Sequence, residues 1–171
     1  MFHHRRTLLA AGIALPVQAL AQACRITPRQ AEGPFFKPKS PERRSLLEGA
    51  RPSLIVAGRV VGKDCKPAAG ALLDFWHADE HGEYDNSGFR FRGHQFTDAE
   101  GRYRLETIVP AVYPGRTRHI HVKVRARGGP ILTTQLYFPN EPANARDGLF
   151  REALVVRPEE PGRVTFDFVA A

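Results

Sequence analysis

The sequence predicts an all-β protein, an antiparallel β-sandwich of about eight strands with an irregular N-terminal arm. Apolar and β-branched residues recur in short alternating runs, and no segment after the first 23 residues keeps a helical period. Turn chemistry separates the runs, because 15 glycines and 14 prolines are spread along the chain rather than clustered. A length of 171 residues suits one domain with a genuine core and not two.

Residues 24–53 are rich in proline and charge and form the arm, in which Glu32-Gly33-Pro34-Phe35-Phe36 reads as a turn that buries two aromatics. The core domain then runs over 54–171. Its first strand is 54–61, closed by Gly62-Lys63-Asp64, and the second is 71–78, which carries Trp76 and ends in the polar loop 79–88. Strands 95–97 and 103–107 flank Asp98-Ala99-Glu100-Gly101 in the manner of a hairpin. Strands 119–127 and 131–138 pair across Gly128-Gly129-Pro130. Strands 153–156 and 164–169 finish the chain, and a short helical turn is expected within 144–150.

Residues 1–23 read as a secretory signal. Arg5 and Arg6 precede a short apolar stretch, and Ala21-Gln22-Ala23 supplies the small-x-small cleavage pattern. The apolar part is too short to span a bilayer, so no membrane span is expected. The paired arginines resemble a twin-arginine signal, which exports folded proteins. An exported protein, periplasmic or extracellular, is the expectation. Losing these residues removes Arg5 and Arg6 and no acid, which lowers the net charge from +7 to +5. The remaining cations alternate (Arg90 and Arg92, Arg102 and Arg104, Arg125 and Arg127), which puts each pair on one solvated sheet face. That pattern argues against nucleic-acid binding. Export also makes a disulfide between the only two cysteines, Cys24 and Cys65, chemically reasonable. The rival, Cys24 as a lipidated first residue, is weaker because Ala21 stands where a lipobox wants leucine.

The stretch that speaks most about function is Tyr113-Pro114-Gly115-Arg116-Thr117-Arg118-His119-Ile120-His121. On a strand, residues two apart share a face, so His119 and His121 project together while Ile120 and Val122 face the core. Two imidazoles on one face are a bidentate grip for a transition metal. The tripeptide by itself is equally compatible with an exposed polar face.

Three further segments, taken with this one, sharpen the reading: Trp76 to Tyr84 at the end of a strand, Thr97 to Tyr103 as a turn, and Leu132 to Phe138. In this order and spacing the four resemble the intradiol ring-cleavage dioxygenases, most of all the protocatechuate 3,4-dioxygenase branch, over about Thr27 to Phe138. The resemblance implies a non-haem Fe(III) held by Tyr84, Tyr113, His119 and His121. It implies a catechol-type substrate cleaved by O2 to a cis,cis-muconate, with Tyr113 the axial ligand that leaves as the catechol binds. It also implies that Arg116 steadies charge on the ring and that Gln135 lines the pocket near the oxygen site. The chemistry agrees, since two hard phenolate donors favour the ferric state. Trp76 reads as core, and His77, His81 and His94 as surface or supporting residues.

The chain departs from the protocatechuate enzymes in having only five residues between Tyr113 and His119, which alters the substrate pocket. A homo-oligomer stays open. Two competitors remain. One is a non-catalytic extracellular β-sandwich that binds ligands, in which Tyr84 and Tyr113 would stand apart. The other is a different His-x-His metalloprotein, disfavoured because residues 122–135 contain no further histidine or glutamate.

Overall fold

A computed structural model describes residues 24–49 and 51–171; the expected signal segment 1–23 lies outside the described residues. Among the described residues nine strands follow one another: β1 Leu54–Val61, β2 Leu72–Trp76, β3 Arg92–Phe96, β4 Arg102–Thr107, β5 His119–Arg125, β6 Leu132–Tyr137, β7 Arg157–Glu160, β8 Arg163–Thr165 and β9 Phe168–Val169. They form two sheets, one ordered β4-β1-β8-β7 with β9 also on β1, the other β3-β2-β5-β6. This is the expected all-β sandwich. Among the described residues no helix is long and apolar enough to cross a membrane.

Several local expectations changed. β3 and β4 belong to different sheets, so Asp98 to Gly101 is a corner between layers and not a hairpin. Its turn bonds, Gly101 N–H to Asp98 O and Asp98 N–H to Arg102 O, are local and identical in kind to those of a hairpin. The expected last strand 164–169 is two strands that run parallel to β1, joined at Phe166-Asp167. Gly58 of β1 faces that break, where a Cβ would lie 1.9 Å from Phe166 O. Only glycine admits the carbonyl so close. Residues 153–156 hold a 3-10 turn, Glu152–Leu154, and strand β7 starts after it. The helical turn lies earlier than expected, as the 3-10 segment Pro142–Ala145.

The core fills the space between the sheets with alternating side chains: Val56 and Val60 of β1, Leu73 and Phe75 of β2, Leu105 of β4, Ile120, Val122 and Val124 of β5, and Leu136 of β6. Register then decides what shares the other face of the second sheet. Trp76 pairs with His121, His121 with Gln135, and His119 with Tyr137. Directly opposed residues point the same way. The functional side chains therefore lie outside the sandwich core, on a sheet face that needs another cover.

The arm supplies that cover. Gln30 N–H bonds to Thr133 O and Thr134 Oγ1 to Pro28 O, so the arm lies along edge strand β6. Phe35 and Phe36 are half-buried against Trp76, Tyr84 and Tyr113 in a second apolar cluster. The arm's start is covalently fixed, because Cys24 and Cys65 form a disulfide across 41 residues. Closing a loop of that length contributes about 3–4 kcal/mol in the chain-entropy account. Cys24→Ser with Cys65→Ser is expected to lower the melting temperature by about 6–12 °C; a calorimetric scan within 2 °C of the parent would contradict this.

Candidate metal centre under the arm

Tyr84 reaches the site from the β2–β3 loop, which two aspartates shape. Asp79 Oδ1 accepts from the His81 and Glu83 N–H groups at 2.8 and 2.9 Å. Asp85 Oδ1 accepts from Ser87 and Gly88, and its Oδ2 from Arg90. Such side-chain-to-backbone bonds nucleate turns. The N–H groups of Gly88 and Arg90 hold the Asp85 carboxyl far below its usual range. Asp79 O also accepts Ala111 N–H at 2.9 Å, which joins this loop to the one carrying Tyr113. At the same junction Gly82 has φ +85°, and a Cβ there would lie 2.4 Å from Val112 O. Gly82→Ala is therefore expected to displace Val112-Tyr113 and to cost about 2 kcal/mol. A chemical-denaturation curve that overlays the parent's would refute this close approach.

Three donors converge. Tyr84 Oη lies 3.2 Å from His119 Nε2, and His119 Nε2 lies 3.0 Å from His121 Nε2. His119 Nδ1 is 2.6 Å from Thr117 O, a pure acceptor, so Nδ1 carries the proton and Nε2 presents its lone pair. Burial brings His119 down to about 4, the Thr117 bond opposing it. Burial takes His121 well below the usual histidine range, aided by the neighbouring His119 and Arg116 charges. Both imidazoles are thus neutral near pH 7. Tyr113 joins through its ring, 5.7 Å from the Tyr84 ring and 5.3 Å from that of Phe35. It is the half-exposed member of the set, whereas Tyr84 is buried.

The rings are held by stacking. Trp76 lies parallel to His121 at 4.8 Å, and Phe35 parallel to Tyr84 at 4.3 Å. Gly33, at φ +73°, brings the arm's backbone against His121, where a Cβ would sit 3.5 Å from Cε1.

These residues fit a bound ferric ion. One lone pair on His119 Nε2 is shared between two close neighbours, and His121 Nδ1 is buried without a hydrogen-bond partner. Hydrogen bonding alone leaves that cluster unsatisfied. A cation between Tyr84 Oη and the two Nε2 atoms would satisfy those three, though not His121 Nδ1 across the ring. Burial pushes the Tyr84 hydroxyl well above its usual range, with Arg116 and Arg92 opposing, so phenolate forms there only against such a charge. Among the described residues no group of three or more His, Cys, Asp or Glu is placed to hold a metal, so a metal bound here would need the phenols as donors.

The other expected residues are placed as follows. Arg116 Nε donates to Asp147 Oδ2 at 2.9 Å, and its Nη2 to Gln135 Oε1 at 2.7 Å. Gln135 is fully buried and its Nε2 donates to Ala31 O of the arm at 2.8 Å. Arg118 takes other partners, Glu141 and Pro110 O, although alternation would have set it beside Arg116. Arg92 corrects the expectation of a solvated Arg90–Arg92 face: Arg90 is exposed and Arg92 is 2% exposed. Phe91 between them has φ +52°, which breaks the two-residue alternation. Asp147, Thr117 and Tyr137 were not singled out by sequence as site residues, and Phe35 was read only as a buried aromatic of the arm. Only Thr117 had a local signal, its position two residues before His119.

His77 is buried in support of β2 and not at the surface. Its Nδ1 donates to Ala78 O at 2.6 Å and its Nε2 accepts from Thr107 Oγ1 at 2.7 Å. Burial brings its pKa from 6.5 to about 4, the Ala78 bond opposing. Between those values the unfolded chain binds the proton that the folded one refuses. Stability from His77 is then complete above pH 6.5 and lost as pH falls toward 4, by at most about 1.4 kcal/mol per pH unit. Urea unfolding from pH 7 to pH 4.5 is expected to show a slope to which His77 contributes alongside His119 and His121, and His77→Gln to reduce it; equal slopes would contradict it.

A family model described as Dioxygenase matches residues 31–169, from within the arm to the last strand. The chain belongs to the intradiol dioxygenase family. Catechol 1,2-dioxygenase 2 of Acinetobacter lwoffii is 37% identical over 144 residues, 68% of this chain and 52% of that protein. The protocatechuate 3,4-dioxygenase beta chain of Burkholderia cepacia is 35% identical over 116 residues, 57% of this chain and 49% of that one. This chain therefore spans about half the length of those curated relatives. The dioxygenase domain of a dioxygenase carbohydrate-binding protein fusion from Streptomyces sp. SirexAA-E superposes with a TM-score of 0.80 at 59% identity, covering 85% of this chain and 97% of that domain.

Proposed function

We propose that this family member is an exported, non-haem Fe(III) intradiol dioxygenase that uses O2 to cleave a catechol-type aromatic between its two hydroxyl-bearing carbons, yielding a cis,cis-muconate-type product. The convergence of Tyr84 Oη with the Nε2 atoms of His119 and His121, beside Tyr113, is the observation that carries this reading. Tyr84, Tyr113, His119 and His121 would hold the iron, and Fe(III) there would supply a Lewis acid for a catecholate and its reaction with dioxygen.

The chain's own residues divide the remaining work. Tyr84, His119 and His121 are buried and clamped by Phe35, Thr117 and Trp76, which makes them the permanent donors. Tyr113, less buried than Tyr84, is the phenol that would give way to substrate, and its Oη would take a proton from a catechol hydroxyl. The Arg116 guanidinium, fixed charge beside the cluster, steadies negative charge on the ring. The arm keeps water off the covered side. Export rests on residues 1–23 and on the disulfide.

The test is a visible absorption spectrum of the iron-reconstituted protein before and after anaerobic catechol. A broad tyrosinate-to-iron band that shifts on adding catechol is expected. A colourless protein would overturn the ligand set and favour a ligand-binding sandwich. Tyr113→Phe is expected to retain iron yet slow catechol deprotonation by about 10- to 100-fold in rapid mixing; parent-like traces would remove Tyr113 from that role.

A further inference from the structure

Asp147 stands outside every sequence motif, yet its side chain is 2% exposed and both of its oxygens are engaged. Oδ2 accepts from Arg116 Nε at 2.9 Å and from Thr117 N at 2.8 Å, while Oδ1 accepts from Leu149 N at 2.9 Å. Thr117 in turn offers its carbonyl to His119 Nδ1 at 2.6 Å, and its hydroxyl donates to Asn144 Oδ1 at 2.7 Å. Arg116 Nη2 also donates to Gln135, which lies opposite His121 on the neighbouring strand. A carboxylate serving only its own turn would need the Leu149 N–H alone. Here the oxygen that reaches Arg116 is the one that also holds the N–H of Thr117, the residue whose carbonyl orients His119.

We propose that Asp147 is a positioning residue of this site, setting the Arg116 guanidinium and, through Thr117, the His119 ring from one enclosed carboxylate. The proposal rests on the dioxygenase reading above. It assigns Arg116 a fixed pose: the guanidinium plane is spanned between Asp147 and Gln135, so its direction as well as its charge is determined. Partners one shell out from a metal characteristically act in this way.

The experiment uses the iron-loaded protein and catechol. Asp147→Asn keeps the size but replaces one acceptor by a donor, which faces either Leu149 N–H or the Arg116–Thr117 pair. The expected result is a loss of about 10- to 100-fold in kcat/KM, mostly in kcat, with a shifted tyrosinate band and unchanged circular dichroism. In an Arg116→Gln background the same substitution is expected to cost less than in the parent, the loss that remains being the share carried through Thr117 to His119. An unchanged kcat/KM, or an equal loss in both backgrounds, would overturn the proposal. Arg116→Lys tests the same geometry with Asp147 intact, even if Asp147→Asn does not fold. An ammonium cannot span Asp147 and Gln135, so activity is expected to fall as far as in Arg116→Gln, and full activity would overturn the proposal. A parent that is colourless and inactive overturns the iron reading and this one with it. A coloured, active parent with indifferent variants overturns this one alone.

Discussion

Tyr84→Phe and His121→Ala are each expected to bleach the iron-loaded protein and to lower catechol turnover by more than about 100-fold, beyond the usual cost of losing an outer-shell partner. Tyr84→Phe is the cleaner of the two. The ring keeps its stack on Phe35 at 4.3 Å and its place in the buried cluster, so only the oxygen donor is lost. The hydroxyl's bond to His119 at 3.2 Å goes with it, but that bond is one of two competing for a single lone pair. The fold therefore has little to lose, and the melting temperature should stay near the parent's. His121→Ala removes a ring sandwiched between Trp76 and the Gly33 backbone, so it adds a void to the loss of a donor. Visible spectra with iron quantified per chain decide both cases. Iron and activity retained in either variant would remove that residue from the ligand set.

Arg92→Met is expected to destabilise the protein by about 3 kcal/mol and to lower its melting temperature by about 6–12 °C. Arg92 donates through Nε and Nη2 to Asp85 O at 3.0 and 2.9 Å and through Nη1 to Phe35 O. Methionine fills the volume but leaves those carbonyls without their charged donor, and a buried unpaired acceptor costs about 1–3 kcal/mol. Asp85 follows Tyr84, and Phe35 stacks on Tyr84, so Arg92 joins the two segments that hold that ring. Iron affinity should drop with stability. Arg90→Met is the control: its ion pairs with Asp79 and Glu80 are partly exposed, and a loss below about 1 kcal/mol is expected. Thermal melts of both variants with an iron titration check the contrast, and equal melting temperatures would sink it.

The contrast between those arginines marks where sequence reasoning stops. The alternation of His-Ile-His-Val-Lys-Val and the Gly-Gly-Pro break after it are local signals, and strand period and turn chemistry are local physics. They determined the sandwich, the β5–β6 hairpin, the inward Ile120 and Val122, and the shared face of His119 and His121. Cys24 and Cys65 were legible for a simpler reason, being the only two cysteines. What the local pattern lacked was the partner across each gap. Asp98 to Gly101 turns the chain in the same way whether its flanking strands pair or part, and only packing against β1 and β2 separates them. Phe91 at φ +52° sends Arg92 inward because carbonyls from the arm and from the Tyr84 loop wait there. Asp147 lies 30 residues along the chain from the Thr117 peptide it fixes. Such contacts join segments whose separation carries no period, so the tertiary structure alone decided which residues surround Tyr84, Tyr113, His119 and His121 and how Arg116 is aimed.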